Sequence, residues 1–224
     1  YKECPVNQSE NRGLRGEHLK KVYNWHWQEE GLHYHDIPPH QKFLIERFGE
    51  DVTLPKVVKE FYFDIECKIG GALTEEYIQS APQPITSIAW WDKHNDTWGD
   101  VVLDPKGKIK NSKVGNKEII SCRTEQGLLG KFIEKFRGID PDIIIGYNSE
   151  YFDIPYLYFR ICNVLGEDWG DYLSPIGKIR CKKDNDWWDS DQYVEICGVE
   201  SLDYMKLHRK YYWKDEPSWK LEDI

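Results

Sequence analysis

The stretch VVKEFYFDIEC, residues 57–67, constrains this chain most: an apolar run whose far end carries two acids, Asp64 and Glu66. Read as a buried strand, it alternates its side chains between two faces, so both acids fall on one face. Two carboxylates close together at the end of a buried strand are costly unless a cation shares them. Oxygen-rich sites of this kind suit magnesium or manganese. The simpler reading is a pair of solvated acids at the strand's exit, and the Asp-x-Glu pattern alone does not separate the two.

A second segment adds to the first. Ile143-Ile144-Ile145 reads as a short apolar strand, and Asn148-Ser149-Glu150-Tyr151-Phe152-Asp153 leads from it into a helix. Asp153 then falls in the first turn of that helix, at the carboxyl end of a strand, where open α/β sheets place their sites. Taken singly, Asp153 could complement the helix dipole, and Asn148 could be a turn or cap residue. The combination of an Asp-x-Glu strand with a later Asn-x-x-x-Phe-Asp turn carries the information.

The surrounding pattern is α/β. Ile85 to Asp92 and Trp98 to Leu103 read as a hairpin across the polar turn at residues 93–96, and Glu118 to Cys122 as a further strand. Thr124 is an N-cap candidate for a helix with Leu128, Leu129, Phe132, Ile133 and Phe136 on one face. A helix is expected from Phe152 to Leu165, with Pro155 tolerated in its first turn. Ile179 to Trp187 and Tyr193 to Ile196 predict a second hairpin, Leu202 to Tyr211 a helix, and Ser218 a cap for a last helix opening at Trp219. Before Pro55 the character differs: residues 1–39 are polar and irregular, and His40 to Phe48 predicts a helix with Phe43, Leu44 and Phe48 as its apolar side, stopped by Gly49. His33 and His35 alternate on one side of a possible strand, but no third metal ligand accompanies them.

Composition narrows the partners little. The net charge of −9 is not that of a passive nucleic-acid binder, yet a metal-dependent nuclease gathers carboxylates in its site. The 10 Trp and 14 Tyr serve packing first and base stacking second. Six cysteines, at 4, 67, 122, 162, 181 and 197, form no CxxC pair, which points to reduced thiols rather than zinc. No apolar run approaches the roughly 20 residues of a membrane span, and a cytoplasmic protein is expected. The first residue is Tyr1 and the last helix opens only at Trp219, so a piece of a longer polypeptide is expected.

FYFDIEC (61–67) resembles the first exonuclease motif of family B DNA polymerases. GYNSEYFDIPYL (146–157) resembles the second, with Asn148, Phe152 and Asp153 at the motif's fixed positions. LSPIGKIRCK (173–182) and GVESLDYMKLHRKYYWKDEPSWKLEDI (198–224) are similar to the T-even phage type of replicative polymerase. QKFLIERFGED (41–51) resembles the end of that family's N-terminal domain. The resemblance implies an α/β ribonuclease H-like exonuclease fold, a mixed sheet flanked by helices, over residues 56–224, preceded by an N-terminal domain fragment over residues 1–55. If the source is a phage, the compartment is the host cytoplasm.

The implied chemistry is 3′→5′ proofreading: hydrolysis of the 3′-terminal phosphodiester of DNA with two magnesium or manganese ions about 4 Å apart. Carried over by position, Asp64 would bridge both ions, Glu66 would help hold the ion that binds water, and Asp153 would serve the second ion. Asn148 and Phe152 would place the unpaired 3′ end of the primer. Lys182 and Lys183, with Lys178 and Arg180, form a basic run on the second hairpin. Phosphate contact by the lysines and stacking by Trp187 or Trp188 would fit DNA there; a solvated hairpin with a packed Trp fits equally. The family's third motif, Tyr-x-x-x-Asp, is absent from these residues. Asp203 lies in a segment that precedes that motif and reads as structural. The chain is therefore expected to be weak or inactive alone and to need the rest of the polymerase. The alternative is a non-catalytic N-terminal subunit of a split polymerase that binds DNA and completes its site with a second chain; a free-standing nuclease of the same fold ranks third.

Overall fold

The computed structural model describes residues 2–12, 18–20, 39–49, 57–181, 194–212 and 218–221. The chain divides into two compact units, Tyr1–Lys56 and Val57–Ile224.

In the first unit, β1 (Lys2–Glu3), β2 (Asn11–Arg12) and β3 (His18–Lys20) form an antiparallel sheet in the order β1-β3-β2. Helix α1 (Pro39–Phe48) begins on a proline, which lacks the amide that a first turn leaves without a partner. Gly49 follows at φ 58, its N–H donating to the Ile45 carbonyl at 2.8 Å. The helix expected from His40 to Phe48 is thus present, and Phe43, Leu44 and Phe48 are exposed. His33 and His35 lie outside the described residues.

The second unit is built on β4 (Glu60–Cys67). Its alternation is sharp: Phe61, Phe63 and Ile65 are buried, while Asp64 and Glu66 are exposed. β5 (Ile85–Asp92) and β6 (Thr97–Leu103) form the expected hairpin. β7 (Ser112–Val114) and β8 (Lys117–Cys122) form a second one, and β9 (Ile143–Gly146) and β12 (Glu200–Asp203) complete a seven-stranded sheet ordered β12-β9-β4-β5-β6-β8-β7. Its pairings are parallel at β12-β9, β9-β4 and β6-β8 and antiparallel elsewhere. At Gly99 the strands come so close that a Cβ would lie 1.8 Å from the Glu118 carbonyl oxygen.

Two helices build the core with the Phe61 face of the sheet. α3 (Glu125–Ile139) starts where Thr124 Oγ1 accepts the Gly127 N–H at 3.2 Å, and all five side chains of its predicted apolar face are buried. Phe61 meets Phe136 edge-on, ring centroids 5.4 Å apart. α4 (Asp153–Leu165) carries Pro155 in its first turn and buries Ile154, Tyr156, Leu157 and Ile161. The short α2 (Glu75–Ser80) and α5 (Glu167–Gly170) lie beside it. Arg160 of α4 clamps Glu125 of α3 with two bonds, Nε–Oε1 at 2.7 Å and Nη2–Oε2 at 2.6 Å. Glu125 Oε1 also accepts the Ile85 N–H at 2.8 Å, so one carboxylate joins two helices and a strand. This is the mixed sheet flanked by helices that the sequence implied.

The sequence misassigned the approach to the last helix. A helix was expected from Leu202, but Glu200–Asp203 is strand β12, paired in parallel with Ile143–Gly146 of β9. Helix α6 (Tyr204–Tyr211) begins after it, with Asp203 as its N-cap. The edge of β9 offers these four residues a hydrogen-bond ladder, which outweighs local helix preference. The hairpin expected from Ile179 to Ile196 is seen at its base, where β10 (Ile179–Cys181) pairs antiparallel with β11 (Val194–Ile196). Ser218 Oγ accepts the Lys220 N–H at 3.2 Å, as a cap would. None of the six cysteines forms a disulfide. Among the described residues no helix is long and apolar enough to cross a membrane.

Candidate active site

β9 accompanies β4 only from Glu60 to Tyr62. Beyond Tyr62, β9 ends at Gly146 and its side of β4 is open. Asp153 fills that gap from the first turn of α4: its Oδ1 accepts the Ile65 N–H at 3.1 Å. The carboxyl group thus replaces a backbone partner on the very strand that carries Asp64 and Glu66. Asp153 is 5% exposed. Burial pushes its pKa up to about 7, with the neighbouring charges of Asp64 and Asp203 adding to the rise and the Ile65 amide opposing it. Asp64 is also pushed upward, by partial burial and then by Glu66. Such a set of acids stores repulsion that a cation would relieve.

The turn between β9 and α4 is tightly built. A Cβ on Gly146 would lie 2.5 Å from that of Ser149, so only glycine fits there. Asn148 adopts the left-handed conformation at φ 56, one that asparagine tolerates better than most residues. Its carbonyl accepts the N–H groups of Tyr151 at 3.2 Å and Phe152 at 3.1 Å. Phe152 is half-buried against Tyr156, centroids 5.3 Å apart. Asp203 lies beside this turn, 3% exposed. Its Oδ1 accepts the N–H groups of Asn148 and Met205, both at 2.9 Å, and its Oδ2 accepts that of Glu150 at 3.2 Å. Three amides engage this carboxylate, in keeping with the structural reading of Asp203.

Asp64 also opens onto a cavity of about 890 Å³ on the face of the sheet opposite α3. An aromatic row crosses this face from strand to strand: Tyr62 packs on Trp91 at 4.9 Å, Trp91 pairs in register with Trp98, and the Lys117 ammonium lies 4.7 Å from the Trp98 ring. The structure therefore brings Asp64, Glu66 and Asp153 to one strand end, with Asn148 and Phe152 in the adjoining turn. Among the described residues, no three His, Cys, Asp or Glu side chains converge into a closed metal cluster. Lys182, Lys183, Trp187 and Trp188 lie outside the described residues. Arg180, from the same basic run, forms an ion pair with Glu195 and donates its Nε–H to the Cys197 sulfur at 3.3 Å.

Comparison with known proteins decides the family. The model of the DNA polymerase family B exonuclease domain matches residues 40–224. The chain belongs to this family. Its fold is accordingly the ribonuclease H-like exonuclease fold, with Asp64 on β4, an interior strand of the sheet. Among relatives of the family B exonuclease domain, the DNA-directed DNA polymerase of Escherichia phage RB69 is 29% identical over 183 residues, which is 72% of this chain and 20% of that protein. The DNA-directed DNA polymerase of Enterobacteria phage T4 is 34% identical over 100 residues, 45% of this chain and 11% of that protein. The DNA polymerase delta catalytic subunit of Caenorhabditis elegans is 49% identical over 47 residues, 21% of this chain and 4% of that protein. The chain thus spans at most about a fifth of the length of these relatives.

Proposed function

We propose that this chain is the exonuclease-bearing part of a replicative DNA polymerase and that its site hydrolyses the 3′-terminal phosphodiester of DNA. The observation that carries this reading is the docking of the Asp153 carboxyl on the backbone of the Asp64–Glu66 strand. It brings three acids from two distant segments to one strand end, and among the described residues no cationic side chain pairs with them. The donor set is all oxygen, which suits magnesium or manganese. Two such ions, when bound, supply water activation and stabilisation of the leaving 3′-oxygen.

The residues of this chain have separable tasks. Asp64, on the exposed face of β4, would hold metal shared within the site. Glu66, two residues along the same face, would help hold the metal that supplies an activated water. Asp153 would serve as a further metal-holding acid, and it fixes the spacing between α4 and β4. Asn148 and Phe152, in the turn, steady the terminal nucleotides. The three acids do not form a closed cluster, which fits a site completed by a fourth acid, the aspartate of the third motif, from the remainder of the polymerase. The same observation supports a second reading, a non-catalytic DNA-binding subunit that meets its fourth ligand on a partner chain.

Manganese titration of the chain by calorimetry, beside a labelled single-stranded oligonucleotide assay, tests the reading. Weak manganese binding that disappears in D64A is expected, with slow or absent hydrolysis. Manganese binding that D64A leaves unchanged refutes the assignment of Asp64. Rapid hydrolysis by this chain refutes the need for a further motif.

A further inference from the structure

Helix α6 contributes no residue to the acid set, yet it holds the turn that does. Asp203, at the end of β12, stands in register with Gly146 at the end of β9. Its carboxylate gathers the amides of Asn148 and Glu150 on one side and Met205 on the other. One turn along α6, the Lys206 ammonium pairs with the buried Glu150 carboxylate at 2.6 Å. The turn is therefore gripped twice from the same helix, once by its backbone and once by a side chain.

From this turn a short series of bonds reaches the site. The Ser149 carbonyl accepts the Ile154 N–H at 2.9 Å, the Asn148 carbonyl accepts that of Phe152, and Asp153 between them reaches Ile65. Asn148 occupies its left-handed conformation while its amide is held by Asp203. Such a conformation persists only where its surroundings over-determine it.

We propose that Asp203 and Lys206 are positioning residues of the exonuclease site: they set the turn that places Asp153 against β4 and Asn148 beside it. Neither touches the reacting atoms. Asp203 already accepts from three amides, which take three of a carboxylate's roughly four acceptor positions, so the fold engages most of it. Partners of this kind, one step removed from metal-binding groups, typically change metal affinity by about 10- to 100-fold when lost.

The metal arm of the test rests on the proposed function; a second arm does not. D203N keeps the shape of the side chain but turns one acceptor into a donor facing a backbone amide. K206M removes the grip on Glu150 alone. D104N serves as a control, because Asp104 is another buried acid, accepting the Ile109 N–H at 2.7 Å in the loop after β6 rather than in the turn between β9 and α4. The backbone amide resonance of Ile65 reports the Asp153 contact directly. In D203N it is expected to shift toward its position in D153N, with a smaller shift of the same sense in K206M and none in D104N. Manganese affinity is expected to fall about tenfold or more in D203N and to remain in D104N. An Ile65 resonance unmoved in folded D203N overturns the inference; if D203N does not fold, an unmoved resonance in K206M does so. Should wild type bind no manganese through Asp64, the proposed function fails while the Ile65 arm still decides the positioning role.

Discussion

Replacing Asp153 with asparagine should make the metal-free protein more stable at neutral pH. Burial raises the Asp153 pKa from its ordinary 3.8 to about 7. Below about pH 4 the group is protonated whether the chain is folded or not, and it contributes no difference. Between about pH 4 and 7 the unfolded chain loses the proton and the folded chain keeps it, so folding stability falls by about 1.4 kcal/mol per pH unit. Above about pH 7 the loss levels off near 4 kcal/mol, an upper figure taken from a shift of about three units. Asparagine retains an oxygen to accept the Ile65 N–H but carries no charge. The gap in favour of D153N should therefore widen by about 2 to 3 kcal/mol between pH 5 and pH 8. Urea denaturation followed by tryptophan fluorescence measures it, and titrating groups that do not interact with Asp153 cancel in the difference between the two proteins. Saturating manganese should narrow the gap at pH 8. A gap that is the same at both pH values, or D153N less stable at pH 8, would refute the argument that Asp153 is held at an electrostatic cost.

Further expectations follow from single contacts. R160A leaves the half-buried Glu125 without its bidentate partner and should lower stability by about 3 kcal/mol or more in urea melts; a loss under 1 kcal/mol would show that the clamp is slack. G99A forces a methyl group against the Glu118 carbonyl and should cost about 1 to 3 kcal/mol, read from the same melts; an unchanged melt would refute the close approach of β6 and β8. T124A removes the cap of α3 at about 1 kcal/mol, and T124S should restore most of it.

Much of the fold was legible because its signals are local. The period-two pattern of β4, the cap and five-residue face of α3, and the hairpin of β5 and β6 each need only a dozen neighbouring residues to be read. β12 was hidden because four residues carry no periodicity, and their conformation is decided by β9, some 57 positions earlier in the chain. The acids of the candidate site were legible as a pair of spaced patterns. How Asp153 reaches Ile65 was not, because that bond joins residues 88 positions apart. Asp203 was recognised as structural from its place in a resemblance; its three amide partners, one of them 55 positions away, emerge only in three dimensions. The predicted DNA contacts at Lys182, Lys183, Trp187 and Trp188 fall outside the described residues.

The open stretch of β4 beyond Tyr62 bears on how an inactive version of such an enzyme should be made. Asp153 completes the ladder there, so its replacement by alanine would strip the Ile65 amide of its acceptor in a buried setting. Under the proposed function, a polymerase changed in this way would be silent for two reasons at once, and its silence would say little about chemistry. Asp64 pairs with Ala89 through its backbone alone, and its side chain stands on the exposed face. Its removal deletes a charge and leaves the backbone pairing intact, which makes D64A the cleaner knock-out.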